Sequence, residues 1–317
     1  MSSKGAQSKV DQSTNNDYLT YLLKSRRFDG KGGIGLLAKA VIEGDSKNSW
    51  QLLSDAKATG SEQLALASSE LSVWLAPLIR KYYQPLEKCA LVSDAFALLA
   101  QFRVLCATRQ GPFGVETINE HIQRYLGKIT LNQTANHKRG QQALYHGQPI
   151  MISENNYRLG LYNGDIGIIW RVTDTEGHEH LMACFEDTDI ESTPLEALKV
   201  EGSETECSEL EGTQTEHIEA IRYILPSRLP KFETVYAMTI HKTQGSEFNH
   251  VAMLLSAGQN ESDAGNSTKT AVNKLLSREL LYTAITRAKT QLTVASNQLT
   301  WQQGVNGQVK RYSGLKL

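Results

Sequence analysis

A strand followed by a glycine-containing turn and a helix is the feature that most constrains the fold of this chain. The β-rich run FRVLCATR occupies residues 102–109, the turn GPFG follows, and apolar residues at helical spacing continue to residue 126. Strand, turn and helix in this order form the first unit of a parallel α/β sheet. Further strands are predicted within residues 231–248 and 249–256, and a helix followed by a last strand within residues 274–296. The sequence therefore predicts an α/β fold in which helices flank a parallel sheet.

Residues 140–230 interrupt this α/β pattern. Their short apolar segments are separated by turn residues such as Asn163, Gly164 and Asp165, which predicts four or five strands. We interpret the segment as a small β-barrel inserted between two strands of the α/β domain. Its last part, residues 186–219, has twelve acidic residues and one lysine. That composition is more typical of a solvated loop than of a recognition surface, and it repels DNA.

The amino-terminal part of the chain is predicted to be mostly helical. Residues 1–16 are rich in Ser, Gln, Asn and Lys, which predicts a disordered leader. Residues 17–139 are assigned to a helical layer and the first part of the α/β domain, and residues 231–317 to the second part. The apolar spacing stays helical from residue 46 to residue 100, so this stretch is expected to cover the sheet.

Composition gives little information about a partner. The 317 residues are 40% hydrophobic and 21% charged, with a net charge of −1, so any nucleic-acid surface must be local. The four cysteines are far apart and form no C-x-x-C pair, which argues against a structural zinc site or a disulfide framework and fits a reducing cytoplasm. No apolar run is long enough to cross a bilayer, so we expect a soluble protein without a membrane partner.

The polar loop within residues 235–248, VYAMTIHKTQGSEF, is the clearest candidate site. It follows a strand that is predicted to be buried, and loops at strand ends are where α/β proteins place ligand contacts. Arg109 is expected at the ligand-facing end of the first strand, whereas Asn119 and His121 on the next helix are interpreted as ordinary surface residues. A polar turn without a ligand is the alternative interpretation of the loop. Its polar residues are Thr239, His241, Lys242, Thr243, Gln244, Gly245 and Glu247.

The same loop carries a family resemblance. Together with RELLYTAITRAK at residues 278–289, about forty residues later, it resembles motifs V and VI of superfamily-one DNA helicases, and its wording Gln-Gly-Ser-Glu is similar to the RecD branch. KSRRF at residues 24–28 resembles motif IV, and NGDIGI at residues 163–168 resembles a stretch of the barrel inserted in the second motor domain of that family. The resemblance extends from about residue 18 to residue 317. It implies a RecA-like motor domain that carries an inserted small β-barrel.

The resemblance also implies a role for individual residues. Arg287 would be the arginine finger that stabilises charge on the γ-phosphate of ATP, and Arg27 a second phosphate-sensing arginine. The expected cofactors are ATP and Mg²⁺, with most Mg²⁺ ligands outside this chain. The nucleotide-facing residues would be Gln244, Gly245, Glu247, Arg27 and Arg287, and the residues facing single-stranded DNA would be Thr239, His241, Lys242 and Arg109.

Two departures from the family pattern qualify these expectations. The usual tyrosine of motif IV is Arg26 here, so either Arg26 or Arg27 could be the phosphate sensor. The chain has no G-x-x-x-x-G-K-[ST] phosphate loop and no apolar strand ending in Asp-Glu, and therefore contains half of an ATP site. We expect the isolated chain to bind ATP weakly and not to hydrolyse it.

The resemblance implies a full-length ATP-dependent 5′–3′ DNA helicase of the exonuclease V type, which acts in recombinational double-strand-break repair. Its partners would be single-stranded DNA, RecB- and RecC-like subunits, and an amino-terminal motor domain that this chain lacks. Two alternatives stay open. One is a non-catalytic DNA- or protein-binding module derived from a helicase, and the other is the motor half of a conjugative relaxase helicase.

Overall fold

The computed structural model describes residues 32–56, 62–68, 70–129, 144–174, 177–187, 220–255 and 276–309. The helices are α1 (Gly33–Glu43), α2 (Ser46–Ser54), α3 (Leu71–Leu78), α4 (Val92–Leu99), α5 (Val115–Tyr125), α6 (Arg278–Ile285) and α7 (Gln298–Asn306). A π-helical turn (Ile79–Tyr83) and a 3-10 turn (Gln84–Lys88) extend α3. The strands are β1 (Leu64–Leu66), β2 (Phe102–Cys106), β3 (Gln148–Ile152), β4 (Ile166–Thr173), β5 (Glu179–Asp187), β6 (Ala220–Ile224), β7 (Phe232–Thr234), β8 (Ala237–Thr239), β9 (Phe248–Leu254) and β10 (Ala288–Ala295).

Five of these strands form a parallel sheet in the order β1-β10-β9-β2-β8. Helices cover both faces, as expected for a sheet whose strands are apolar on both sides. On one face Leu37 of α1 and Leu280 of α6 join a core that includes Met253 of β9. On the other face Phe96 of α4 and Ile118 of α5 pack in a second core. The predicted parallel sheet with flanking helices is therefore confirmed.

The second sheet is antiparallel, in the order β6-β5-β4-β3-β7, and lies within the segment interpreted as an inserted barrel. One side has a small core of its own, which includes Ile150 and Ile169. From the other side Ile168 and Trp170 of β4 join the core around α4 and α5. The inserted sheet thus packs directly against the helical layer of the parallel sheet.

The structure differs from the sequence-based assignments at three places. β1, in the stretch predicted to be helical, is an edge strand that pairs with β10. Its three residues are too few to show a period of two. β7 pairs with β3, so the antiparallel sheet extends to residue 234, beyond the boundary predicted at residue 230. α7 was not predicted.

Two further expectations concern residues outside the described ranges, and a third concerns membrane-spanning helices. The predicted leader and most of the acidic stretch, residues 188–219, lie outside the described residues. Within the described ranges, no helix combines the length and the apolar character needed to cross a membrane.

Candidate functional site

The candidate residues lie at two opposite ends of the parallel sheet. Thr239 ends β8, level with Cys106 at the carboxyl end of β2, and Leu254 of β9 lies at the same level. Phe248 begins β9 six residues earlier, which places it about 20 Å away along the strand direction. The intervening residues 240–247, which we name the crossing loop, therefore run from the carboxyl end of the sheet to its amino end. Since β8 and β9 lie on either side of β2, the loop passes over β2.

The crossing loop begins with a 3-10 turn, Ile240–Thr243. Ile240 and Thr243 are buried, and the Thr243 hydroxyl donates to the Ile240 carbonyl at 2.6 Å, so both residues stabilise the turn. His241 and Gln244 are exposed. Gly245 has φ of 92°, a conformation that residues with a side chain rarely adopt. The loop thus presents polar groups outward from a fixed backbone.

A charge cluster, which we define as Arg109, Glu116, Glu233 and Lys242, lies at the carboxyl end of the sheet. Arg109 donates from Nε to Glu116 at 3.0 Å and from its terminal nitrogen to Glu233 at 3.1 Å. Lys242 Nζ donates to the other oxygen of Glu233 at 2.5 Å. The hydrogen bond that Arg109 donates to Glu116 and the charge of Glu233 raise the pKa of Arg109. The two cations predicted to face DNA are therefore paired with carboxylates.

The charge cluster borders a cleft of about 220 Å³ that is lined by α5, β7 and the end of β8. Phe232 contributes from β7, Glu120 from α5, and Thr239 from the end of β8. Thr239, Lys242 and Arg109, which were predicted separately from the sequence, therefore meet at one site.

Arg287 lies at the amino end of the sheet, between α6 and β10, and is only 7% exposed. Its Nε donates to the Thr283 carbonyl at 3.2 Å, and a terminal nitrogen donates to the carbonyls of Ser246 at 3.0 Å and Thr243 at 3.3 Å. This guanidinium thus ties the end of α6 to the crossing loop. Glu247, the last residue of the crossing loop, forms a 3.7 Å ion pair with Lys289. Arg287 thus contacts the crossing loop on both sides of Gln244 and Gly245, and Glu247 follows at the amino end of β9.

A set of buried side chains that the sequence did not single out holds the segment before the crossing loop. Arg103 donates to the Val235 carbonyl at 2.5 Å, and the Tyr83 hydroxyl donates to the Tyr236 carbonyl at 2.6 Å. Asn119 accepts from the Ala237 amide at 2.8 Å and donates to the Ala237 carbonyl at 3.0 Å. Three consecutive residues are thus each held by a different side chain.

The interpretation of Asn119 as an ordinary surface residue is wrong. It is 7% exposed and lies on the apolar face of α5, with Val115, Ile118 and Ile122. Its spacing of four positions from Val115 and three from Ile122 was the available signal. His121, interpreted in the same way, is half-buried, and burial lowers its pKa.

The predicted site also included a second phosphate-sensing arginine and Mg²⁺. Arg27 lies outside the described residues. In the part of the chain that the structure describes, no group of three His, Cys, Asp or Glu side chains could hold a metal ion.

Two family models match the chain. The model described as the SH3 domain of ATP-dependent RecD-like DNA helicases matches residues 118–185, which include β3, β4 and most of β5. The model described as the carboxyl-terminal domain of UvrD-like helicases matches residues 234–295, which include the crossing loop and Arg287. The second match leaves out Arg109, Glu116 and Glu233 of the charge cluster.

Curated relatives are similar over nearly the whole chain. The RecBCD enzyme subunit RecD of Haemophilus influenzae is 30% identical over 94% of this chain and 40% of its own length. The subunit of the same name from Mycobacterium tuberculosis is 31% identical over 96% of this chain and 44% of its own length. The chain thus spans less than half the length of these relatives.

Among solved structures, Bacteroides Pif1 bound to single-stranded DNA is 18% identical over 73% of this chain and 50% of its own, with a TM-score of 0.30. That score is too low for a residue-by-residue comparison.

Proposed function

We propose the following function for this chain, which belongs to the RecD-type family of superfamily-one DNA helicases. It is the carboxyl-terminal motor domain of an ATP-dependent DNA helicase. The amino end of its parallel sheet supplies half of the ATP site, and the carboxyl end supplies part of the path of single-stranded DNA. The inserted barrel forms part of the wall of that path, because Phe232, Glu233 and Thr234 of β7 line the cleft beside Lys242.

The observation that carries this proposal is the course of the crossing loop. A motor domain must pass the state of its nucleotide to the strand that it moves. Thr239 precedes the loop and Glu247 is its last residue, and the two strand ends that the loop joins are about 20 Å apart along the strand direction. Arg287 contacts the loop between these ends, at the carbonyls of Thr243 and Ser246, and Lys242 is the residue before Thr243. One continuous segment of eight residues therefore joins the proposed nucleotide contacts to the proposed DNA contacts.

The proposed nucleotide contacts are Gln244, Gly245, Glu247, Arg27 and Arg287, with ATP and Mg²⁺ as cofactors. Arg287 would act as the arginine finger, because a fixed and always ionised guanidinium suits a phosphate whose charge is developing. To reach a phosphate, it would have to exchange at least one of its carbonyl contacts on the crossing loop. His241 is exposed beside Lys242 and is assigned with Thr239, Lys242 and Arg109 to the DNA backbone.

The other half of the ATP site would come from a first motor domain with a phosphate loop and an Asp-Glu box. We infer that the isolated chain binds ATP weakly and does not hydrolyse it, because the β- and γ-phosphates and Mg²⁺ have no cradle without that loop. Because the matched relatives are subunits of the RecBCD enzyme, RecB- and RecC-like subunits are the proposed partners. Movement in the 5′–3′ direction, a role in double-strand-break repair and a location in the bacterial cytoplasm complete the proposal.

Replacing Arg287 tests the nucleotide half of the proposal. In a protein that joins this chain to its first motor domain, Arg287→Ala should slow ATP hydrolysis by roughly 10³-fold or more, the loss typical of an arginine finger. Binding of single-stranded DNA should change little. Arg287→Lys keeps the charge but loses the planar guanidinium with its several donors. ATP hydrolysis by this variant should therefore also be far below that of the unmodified protein. The variant Arg80→Ala, at an exposed residue outside the proposed nucleotide and DNA contacts, is a control for removal of one positive charge.

Two results would contradict this proposal. One is Arg287→Ala turnover at the rate of the unmodified protein, which would remove the finger assignment. The other is robust Mg²⁺-dependent hydrolysis by the 317-residue chain alone, which would show that it does not contain only half of a site. Thermal unfolding of each variant distinguishes a loss of catalysis from a loss of folding.

A further inference from the structure

The Glu233 carboxylate accepts hydrogen bonds from two cations, Arg109 and Lys242. We propose that Glu233 is an internal competitor of single-stranded DNA, and that its carboxylate fills a phosphate subsite formed by Arg109 and Lys242. A backbone phosphate must displace this carboxylate before it can bind. The inference rests on the proposed function, because it assigns those two cations to the DNA path.

The geometry of the contacts supports a shared subsite. Each oxygen of Glu233 accepts from one cation, Oε1 from Lys242 at 2.5 Å and Oε2 from Arg109 at 3.1 Å. A phosphate also offers two acceptor oxygens on one centre, and arginine and lysine are the side chains that bind phosphate in proteins. Glu116 binds a different nitrogen of Arg109 at 3.0 Å, so it can hold the arginine in place after Glu233 has left.

The charges of the cluster also support a competitor. Two carboxylates and two cations cancel, so the charge cluster as a whole offers little attraction to a polyanion. With Glu233 displaced, the same cluster has a net charge of +1 and two donors directed at one point. The Glu233 side chain is 24% exposed and that of Lys242 is 32% exposed, so solvent and a strand have access to the pair.

The position of Glu233 in the fold connects the subsite to the motor domain. Glu233 is on β7 of the antiparallel sheet, whereas Arg109 follows β2 and Lys242 is on the crossing loop. The carboxylate therefore fastens the crossing loop to the inserted barrel. When a phosphate replaces this carboxylate, Lys242 of the crossing loop binds DNA instead of β7 of the barrel.

The test measures DNA affinity with a fluorescein-labelled oligothymidylate and the 317-residue chain, by fluorescence anisotropy at several salt concentrations. Glu233→Gln should bind on the order of tenfold more tightly at low salt, the factor expected when two partly exposed ion pairs no longer oppose binding. The slope of log affinity against log salt should steepen by about 0.7, because in the unmodified chain the displaced carboxylate takes up a counterion that offsets one released from the bound phosphate.

Glu120→Gln is the matched control. Glu120 lines the same cleft and its substitution changes the net charge equally, but in the described part of the chain its carboxylate makes no ion pair with Arg109 or Lys242. Its affinity should stay within about twofold of the unmodified chain, because a single unpaired surface charge contributes little. Circular dichroism and thermal unfolding establish that both variants are folded.

A double-mutant cycle identifies the subsite. Lys242→Gln should weaken binding more in the Glu233→Gln background than in the unmodified chain, where Lys242 is already neutralised. If Glu233→Gln binds no more tightly than Glu120→Gln while the unmodified chain binds DNA, the competitor is excluded and the DNA path stands. If no variant binds the oligonucleotide, both the competitor and the proposed DNA path are refuted.

Discussion

Replacing Asn119 with alanine removes both hydrogen bonds on the outer edge of β8. β8 is an edge strand that pairs with β2 on one side, and the amide and carbonyl of Ala237 point away from β2, toward Asn119. Ala237 is 1% exposed, so neither group can turn to bulk water when the side chain is cut back. A buried backbone group without a partner costs about 1–3 kcal/mol. Loss of both partners should therefore lower the free energy of local opening of β8 by at least about 2 kcal/mol. This is roughly a 30-fold change in the opening equilibrium.

Hydrogen exchange followed by mass spectrometry measures this opening directly. A peptide that covers residues 235–243 should exchange roughly 30-fold faster in Asn119→Ala. A peptide within β4 of the antiparallel sheet should be unchanged and provides the internal reference. Asn119→Leu separates hydrogen bonding from packing, since leucine keeps the volume and loses both bonds. If leucine restores protection, or if alanine changes exchange by less than about threefold, the hydrogen bonds do not hold β8 and the reasoning is wrong.

Two further predictions concern stability. Burial, and to a lesser extent the charge of Lys81, lowers the pKa of His250 to about 4. The folded chain favours the neutral form of His250. The resulting contribution to the free energy of unfolding, about 3 kcal/mol, is fully present above pH about 6.5 and is lost as the pH falls toward 4. Urea unfolding of His250→Asn across this range should lack that loss, and an unchanged pH dependence would contradict the assignment. Gly167→Ala should destabilise by about 3 kcal/mol, because its Cβ would lie 2.6 Å from the Phe185 ring. Gly245→Ala should cost only about 1 kcal/mol, since its φ of 92° is strained but its Cβ meets nothing within 4 Å. The reverse order in thermal unfolding would refute this comparison.

The parts of the fold that follow from local patterns could be predicted from the sequence. β2, α5 and β9 have an apolar period or run long enough to identify, and each is present. β1 is not predictable in this way, because three residues with helix-compatible side chains acquire their conformation only from pairing with β10. The same reason applies to β7, whose membership of the antiparallel sheet depends on its partner β3 and not on its own sequence.

The candidate site, too, could be predicted from the sequence only in part. The polar loop was recognisable because its residue types are unusual after a buried strand. Its separation into two ends was not, because adjacency in the chain conceals a distance of about 20 Å that is set by the direction of the strands. The pairing of Lys242 and Arg109 with Glu233 was also beyond local reasoning, since it joins residues from two different sheets.

The crossing loop brings the two ends of the site to neighbouring residues. The Lys242 side chain binds Glu233 in the charge cluster. The carbonyl of the next residue, Thr243, accepts a hydrogen bond from Arg287. One peptide bond therefore separates a proposed DNA contact from a group that the proposed arginine finger binds. If a phosphate draws the Arg287 guanidinium away from the Thr243 carbonyl, the 3-10 turn loses a restraint directly beside Lys242. Coupling between nucleotide and strand would then run through this short turn and would require no chain of intermediates through the core.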